Sequence, residues 1–431
     1  MKKISIILLI VLLITSCVSS TKPFVSEPYT DSSLSVDEKL TLGGATKMAL
    51  PYPESYFDAK EFLLKYTELI ENAEDYILIS TFLGSACEGL EDFYNTLAKK
   101  AESGVDVYMI LDAVSSLDMT ESKKYMYPLY FLKESGVHLI EYAPMSILRI
   151  IAPQNLIIRD HRKLVVVDGK IAVLGGMNMN YISLGSDDVI DLQKDSMYVF
   201  ESANLSSALT DEFVTIWNQI TAVDKLDRAS LKSYSDEEDK LVLDGYLFNQ
   251  GPGTEASMST MFASLINSAE KEIVMLPYMA LLDNNMFESL KAAVERGVKV
   301  KMYLPIDSRE YVQKALYYDY HRLVEAGFEV WFEFSGREYN NALLHQKLAV
   351  VDNQYTVIGS ANFNYRSMKS SFEIALVIDS IDFAAQALEQ VNDISKDMKL
   401  LTLEDALRLK KEKGSLFNYL FSYYGGWWWK S

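Results

Sequence analysis

Two short phrases in the sequence carry the residue types and the spacing for phosphoryl chemistry. The first is His161-Arg162-Lys163, then Asp168, then Gly175-Gly176-Met177-Asn178; the second is His345-Gln346-Lys347, then Asp352, then Gly359-Ser360-Ala361-Asn362. The chain has only 4 histidines, and the other two, His138 and His321, have no counterpart in the opposite half. On an extended strand positions i and i+2 share a face, so His161 and Lys163 are expected to face one cleft, as are His345 and Lys347. The runs 164–167 and 348–351 are apolar and suit a buried strand that fixes each polar pair. Two imidazoles and two ammonium groups converging on one point make a phosphate site, with the lysines neutralising the non-bridging oxygens. One neutral imidazole can attack phosphorus while the other, protonated, donates to the leaving alcohol. Neither a metal nor another cofactor is required by this chemistry.

What must position these residues is a duplicated fold. Phe62, Tyr66, Leu69, Ile70 and Ala73 recur at helical spacing before the apolar run Tyr76-Ile77-Leu78-Ile79, and Met258, Phe262, Leu265, Ile266 and Ala269 precede Ile273-Val274-Met275-Leu276 in the same way. Gly104-Val105-Asp106-Val107 answers Gly297-Val298-Lys299-Val300, and Gly136-Val137 answers Gly327-Phe328. Matches in one order at offsets of 196, 193, 191 and 184 residues indicate an internal repeat. Strands alternating with helices predict an α/β protein of two repeats with mixed, largely parallel sheets flanked by helices, and an active site between the halves.

The bulk numbers agree with an enzyme-sized body of 431 residues, 49% hydrophobic and 23% charged. A formal net charge of -19 opposes a polyanionic partner, so nucleic acid is disfavoured as substrate. With Cys17 and Cys87 the only cysteines, a disulfide framework is excluded, and Cys87 reads as a small buried apolar residue. Lys2 and Lys3, the apolar run 6–14 and Thr15-Ser16 before Cys17 form an export signal too short to span a bilayer. Ile14-Thr15-Ser16-Cys17 resembles the bacterial lipobox, which implies cleavage before Cys17, lipidation of its thiol and a place in the bacterial cell envelope.

The paired phrases resemble the HxKxxxxD and GSxN signatures of the phospholipase D superfamily, and the resemblance runs from about residue 56 to 400. Within it the chain is most similar to the cardiolipin synthase branch, on Arg159-Asp160-His161-Arg162-Lys163, Gly251-Pro252, Pro277-Tyr278, Gly359-Ser360-Ala361-Asn362-Phe363-Asn364 and Arg366-Ser367. The resemblance implies that His161 is the nucleophile, forming a phosphohistidine, and His345 the general acid and later the base. It further implies that Asn178, Asn362 and Ser360 support the phosphate and that Asp195 and Glu373 orient the two imidazoles. Asp168 and Asp352, counted with the catalytic motif, are expected to organise strands and charge around it. Two departures stand out: Gly176 where Ser is common, and Gln193-Lys194-Asp195 without the Trp-Arg pair usual before this Asp.

The expected domains are a signal peptide over 1–16, a tether over 17–55, a first phospholipase D-like domain over 56–223, a solvated linker over 224–245, a second such domain over 246–400 and a C-terminal helix with an aromatic tail over 401–431. An apolar insertion around 145–151 is expected to form a rim for acyl chains or a local core extension. The aromatic end, from Phe417 to Trp427-Trp428-Trp429, is expected to meet the bilayer interface or pack on the body. The partner is then a membrane phospholipid of the phosphatidylglycerol kind, and one chain suffices for the site. The leading reading is headgroup transfer through phosphohistidine; hydrolysis, nuclease activity and a non-enzymatic lipid-binding role are the alternatives.

Overall fold

The computed structural model describes residues 30–85, 87, 89–113, 127–143, 158–185, 193–251, 257–304, 310–332, 344–396 and 398–425. Cys17 with the signal segment, the insertion 145–151 and Trp427-Trp428-Trp429 lie outside the described residues. Two strands, β1 (Thr46–Leu50) and β2 (Glu54–Tyr56), precede the repeats. The first repeat supplies β3 (Tyr76–Thr81), β4 (Asp106–Asp112), β5 (His138–Tyr142), β6 (Leu164–Val167), β7 (Ile171–Gly175) and β8 (Met197–Glu201). The second supplies β9 (Leu243–Gln250), β10 (Glu272–Pro277), β11 (Lys299–Leu304), β12 (Glu329–Phe332), β13 (Lys347–Val351), β14 (Tyr355–Gly359), β15 (Glu373–Asp379) and β16 (Lys399–Leu400). They assemble into sheets of order β2-β8-β7-β6-β3-β4-β5 and β1-β9-β15-β14-β13-β10-β11-β12-β16.

The sheets are mixed, as expected, but antiparallel neighbours outnumber parallel ones. Among the named strands parallel pairing is confined to β3-β4-β5 and β10-β11-β12. The cause is local. Between β6 and β7 the chain turns through Asp168 and Gly169, both at positive φ, with the Lys170 N–H closing on the Val167 carbonyl. Asp352 and Asn353 repeat this turn between β13 and β14, and so short a link can only reverse the chain.

Asp168 and Asp352 also do a second task. The Asp168 carboxylate accepts the backbone N–H groups of Glu74, Asp75 and Tyr76 at 2.7–2.9 Å. Asp352 accepts those of Glu270, Lys271 and Glu272 at 2.8–3.0 Å. Each carboxylate therefore ties the start of the central strand, β3 or β10, to the far end of the strand, β6 or β13, that begins at or just after the motif lysine.

Alternation along the strands sorts their side chains between layers. Leu164 and Val166 of β6, with Leu348 and Val350 of β13, face a shared core between the halves that also holds Leu209, Phe213 and Trp217 of the helix Ala203–Ile220. Val165 and Val167 turn outward to the helices Ala59–Glu71 and Glu91–Glu102, and Ala349 and Val351 to Ser257–Ser268 and its neighbours.

Two expectations for the connecting segments need correction. The tether cannot reach Ser55: Ser35 and Glu38 form a capping box on the helix Val36–Leu42, β1 pairs with β9 and β2 with β8. These strands are polar because they lie at sheet edges with one side exposed, which made them resemble an unstructured spacer. Nor is 224–245 a solvated linker. Leu226 and Leu231 are buried, Asn218 holds Leu226 by both backbone groups, and the Asp236 carboxylate caps the helix Ala203–Ile220 at Ala203 and Asn204. Its last residues already belong to β9.

At the C-terminus, the helices Leu403–Glu412 and Leu416–Gly425 pack on Glu310–Glu325, with Tyr419 against Tyr318 at 5.3 Å between ring centroids. Phe417 points the other way and is 71% exposed.

Asp168→Ala and Asp352→Ala each strand three backbone donors. Each substitution is expected to lower unfolding stability by about 2–4 kcal/mol, read from the urea midpoint of the purified chain; an unchanged midpoint refutes the capping role.

Candidate active site

The two motif histidines meet where the halves exchange backbone hydrogen bonds. The His161 N–H donates to the Phe372 carbonyl at 3.0 Å, and the His345 N–H donates to the Lys194 carbonyl at 2.8 Å. Phe372 and Lys194 each precede a carboxylate, so this pairing delivers Glu373 to His161 and Asp195 to His345. The His161 Nδ1 lies 3.1 Å from Glu373 Oε2 and 2.9 Å from the Ser360 carbonyl. The His345 Nδ1 lies 2.5 Å from Asp195 Oδ2. A carboxylate on Nδ1 fixes the ring and leaves Nε2 as the reacting nitrogen.

The lysines sit beside their histidines as the i, i+2 spacing requires. Lys163 Nζ donates to the His161 carbonyl at 2.6 Å; Lys347 Nζ donates to the His345 carbonyl and stands 2.8 Å from His345 Nδ1. Each pair rests on an aromatic ring at the end of the central strand. Phe82 lies 4.8 Å from the His161 ring and 5.2 Å from Lys163 Nζ, while Tyr278 lies 4.5 Å from the His345 ring and 5.3 Å from Lys347 Nζ. Neither ring was named as a site residue from sequence, although both directly follow the duplicated strand at the same offset.

Burial sets the electrostatics. His161 is 2% and His345 5% exposed. Loss of hydration, then the ammonium groups of Lys163 and Lys347, hold His161 well below the usual imidazole range. His345 is pulled down to about 4 by burial and Lys347, against the opposing pull of Asp195. Burial likewise lowers Lys347 to about 8 and Lys163 well below its ordinary value. The two carboxylates diverge. Burial lifts Glu373 to about 7, whereas for Asp195 burial is outweighed by Lys347 and His345, and its pKa falls.

The divergence has a steric counterpart. Ser360 Oγ donates to Glu373 Oε2 at 2.5 Å and accepts the Ile374 N–H at 3.1 Å. At the equivalent Gly176 a Cβ would fall 2.1 Å from Asp195 Oδ1. The glycine is thus the space into which the Asp195 carboxylate fits, which accounts for the missing serine.

The remaining candidates sit nearby. Asn178 is buried with Oδ1 accepting the Leu83 N–H at 3.3 Å, and Asn362 is buried with no hydrogen-bond partner for Oδ1. Asp168 and Asp352 lie instead at the hairpin ends described above. Beside His161 is a charged cluster that the sequence reading quoted only in part. The Arg159 Nη1 reaches Asp112 at 3.3 Å, and Arg162 is bidentate to Asp160 at 2.6 and 2.8 Å with Nη1 on Glu212 at 2.7 Å. Asp112 and Glu212 carry no motif signal; only the fold brings them here. Among the described residues no group of three or more His, Cys, Asp or Glu could hold a metal ion.

Two imidazole and carboxylate pairs with two buried ammonium groups suit in-line transfer at phosphorus. The family model described as cardiolipin synthase, PLD-like domain matches residues 66–217 and 262–394, which spans both repeats. The chain belongs to this family. As a member of the phospholipase D superfamily, it is an enzyme of the phosphatidyltransferase and phosphodiesterase class. It is 28% identical over 346 residues to cardiolipin synthase 2 of Staphylococcus epidermidis, covering 79% of this chain and 67% of that protein. To cardiolipin synthase A of Pseudomonas putida it is 30% identical over 348 residues, 78% of this chain and 67% of that one. The chain thus spans about two thirds of the length of these relatives. The crystal structure of phosphatidylserine synthase from Haemophilus influenzae Rd KW20 shares the fold, with a TM-score of 0.66 at 15% identity over 88% of this chain and 96% of that one.

The raised Glu373 carboxyl makes a signed prediction. Its folded-state pKa of about 7 exceeds its ordinary 4.5, so the stability it contributes is full below about 4.5 and lost as pH rises through about 7. Glu373→Gln is expected to flatten the stability profile between these values and raise Tm above pH 7, while turnover falls because His161 loses its orienting carboxylate. An unaltered profile contradicts the assignment.

Proposed function

We propose that this enzyme transfers a phosphatidyl group between phospholipids of the phosphatidylglycerol kind through a phosphohistidine on His161. The single observation that supports it most is the reciprocal holding of each imidazole by a carboxylate from the opposite half. Neutral His161 Nε2 attacks phosphorus, the bond from phosphorus to the departing glycerol oxygen breaks, and His345 supplies the proton to that oxygen. Lys163 and Lys347 neutralise the phosphate oxygens. Burial, and after it the charge of the same lysines, suppresses protonation of His345 before substrate binds. An arriving phosphodiester offsets their charge, so His345, backed by Asp195, takes up its proton when substrate is present. In the second step an acceptor hydroxyl gives its proton to His345 and displaces His161 from phosphorus. Lipid acceptors give transfer and water gives phosphatidic acid.

The relatives' names support phospholipids as substrates, and the net charge of -19 weighs against nucleic acid. No helix among the described residues is long and apolar enough to cross a membrane. Membrane engagement is proposed through lipidated Cys17 and through the C-terminal helices, where Leu403, Leu407, Leu416, Phe417 and Leu420 are exposed beside Arg408, Lys410 and Lys411.

Purified protein incubated with phosphatidylglycerol vesicles should yield cardiolipin and glycerol by mass spectrometry, with plasmid DNA left intact and EDTA without effect. Cleavage of the plasmid alone would replace this reading with a nuclease. His161→Ala is expected to lose roughly 10³-fold or more in rate, and His345→Ala to retain a phosphorus label on the protein; label retained by His161→Ala refutes the nucleophile. With Cys17→Ser protein, Phe417→Ser combined with Leu420→Ser should abolish vesicle cosedimentation, and undiminished binding removes the C-terminal contact.

A further inference from the structure

We propose that Ser360 is a positioning residue whose hydroxyl turns between two acceptors, so that Glu373 holds a proton while His161 is neutral and yields it when His161 becomes a phosphohistidine. The proposal rests on the phosphohistidine reading above and assigns the proton movement that accompanies it.

The resemblance implies that Ser360 supports the phosphate, but its hydroxyl is turned elsewhere. Ser360 is 0% exposed; its Oγ lies 2.5 Å from Glu373 Oε2, accepts the Ile374 N–H at 3.1 Å and stands 3.4 Å from the Ile374 carbonyl oxygen. A hydroxyl carries one donor and two lone pairs. With Glu373 ionised, Ser360 donates to Oε2. With Glu373 protonated on Oε2, the carboxyl donates to Oγ and the Ser360 proton swings to the Ile374 carbonyl. The same atoms thus serve both states.

The His161 ring does not need the charge to stay in place. Its Nδ1 has a second acceptor in the Ser360 carbonyl at 2.9 Å, nearer than Glu373 Oε2 at 3.1 Å. The carboxyl itself favours the proton, for Glu373 is buried and its Oε1 has no hydrogen-bond partner. Burial lifts Glu373 to about 7, against the pull of Lys163, the Ser360 hydroxyl, Ser367 and Arg366. Ser367 acts there by proximity, without a formed hydrogen bond, and Lys347 also lies in electrostatic range.

The other repeat lacks the device. Gly176 stands where Ser360 does, and the two N–H groups donate to the Ser196 and Ile374 carbonyls, each at 2.9 Å. Asp195 accepts the Ser196 N–H at 2.8 Å and has Lys347 Nζ at 3.7 Å. A backbone N–H and an ammonium offer no lone pair to a carboxyl proton, and Gly176 offers no hydroxyl.

When His161 Nε2 bonds to phosphorus, the departing glycerol oxygen takes a proton from His345 and the ring becomes a cation that keeps its Nδ1 proton. A cation there favours the carboxylate, so the Glu373 proton leaves to water and Ser360 turns back to donate to Oε2. When the acceptor oxygen displaces Nε2, the electron pair returns to the ring and Glu373 recovers a proton from water.

The test counts protons per phosphorus label on the full chain with phosphatidylglycerol vesicles, using a pH indicator in weak buffer. His345→Ala is compared with His345→Ala combined with Glu373→Gln, in which the Ser360 carbonyl still holds the ring. The departing alkoxide takes one proton in either protein. Below about pH 7 Glu373 supplies it, so the double variant should draw one more proton per label from solvent, and well above that pH the two should agree. Ser360→Ala in the otherwise native chain should slow turnover roughly tenfold at neutral pH, because ionised Glu373 loses a charge-assisted donor, and the deficit should shrink as pH rises. A merely structural defect slows turnover alike at every pH. Equal proton counts throughout, or a Ser360→Ala deficit that ignores pH, overturns the proposal. His345→Ala that takes no label sinks the phosphohistidine reading itself, and the proposal with it.

Discussion

The structure depends on an exchange between its halves. Each motif imidazole is held at Nδ1 by a carboxylate of the other repeat, and each histidine N–H is bonded to the residue preceding that carboxylate. Neither half can therefore assemble a competent histidine by itself. The shared apolar layer, with Leu164 and Val166 facing Leu348 and Val350, supplies the rigidity that such hydrogen bonds need to hold an angle as well as a distance. Burial then does the chemical tuning. In a dry interior both imidazoles are kept neutral and both ammonium groups are poised to receive an anion.

Duplication supplies the site, and departures from symmetry divide its labour. The smaller Gly176 admits the Asp195 carboxylate, which stays charged against His345, while the larger Glu373 is shared with Ser360 and is driven toward neutrality. A charged carboxylate favours an imidazolium; one closer to neutral favours a neutral ring. The acid and nucleophile roles proposed for His345 and His161 call for this kind of asymmetry.

Much of this was legible beforehand. The repeat and its paired motifs need only local spacing, and the i, i+2 relation of His161 to Lys163 is a property of any strand. Segments whose order comes from distant partners were misread. Residues 46–56 look like a spacer until β9 and β8 are there to pair with them, and Asp236 looks solvated until the helix start at Ala203 stands in front of it. The parallel character of the sheets was overestimated because the turn residues Asp168-Gly169 and Asp352-Asn353 were weighed as chemistry and not as chain reversals. Asp112 and Glu212 had no local signal at all, since their partners lie 47 and 50 residues away in sequence.

The edge strands β1 and β2 have a consequence for how the molecule comes together. They are neighbours in sequence, yet one completes the second sheet beside β9 and the other completes the first beside β8. A chain emerging from its amino end must hold β1 unpaired until β9, nearly two hundred residues later, has been made. Closure of this long loop is slow on entropic grounds. The first sheet can close on β2 and β8 alone, whereas β1 waits for the second repeat, and its pairing with β9 then stitches the leading segment of the chain onto the trailing half.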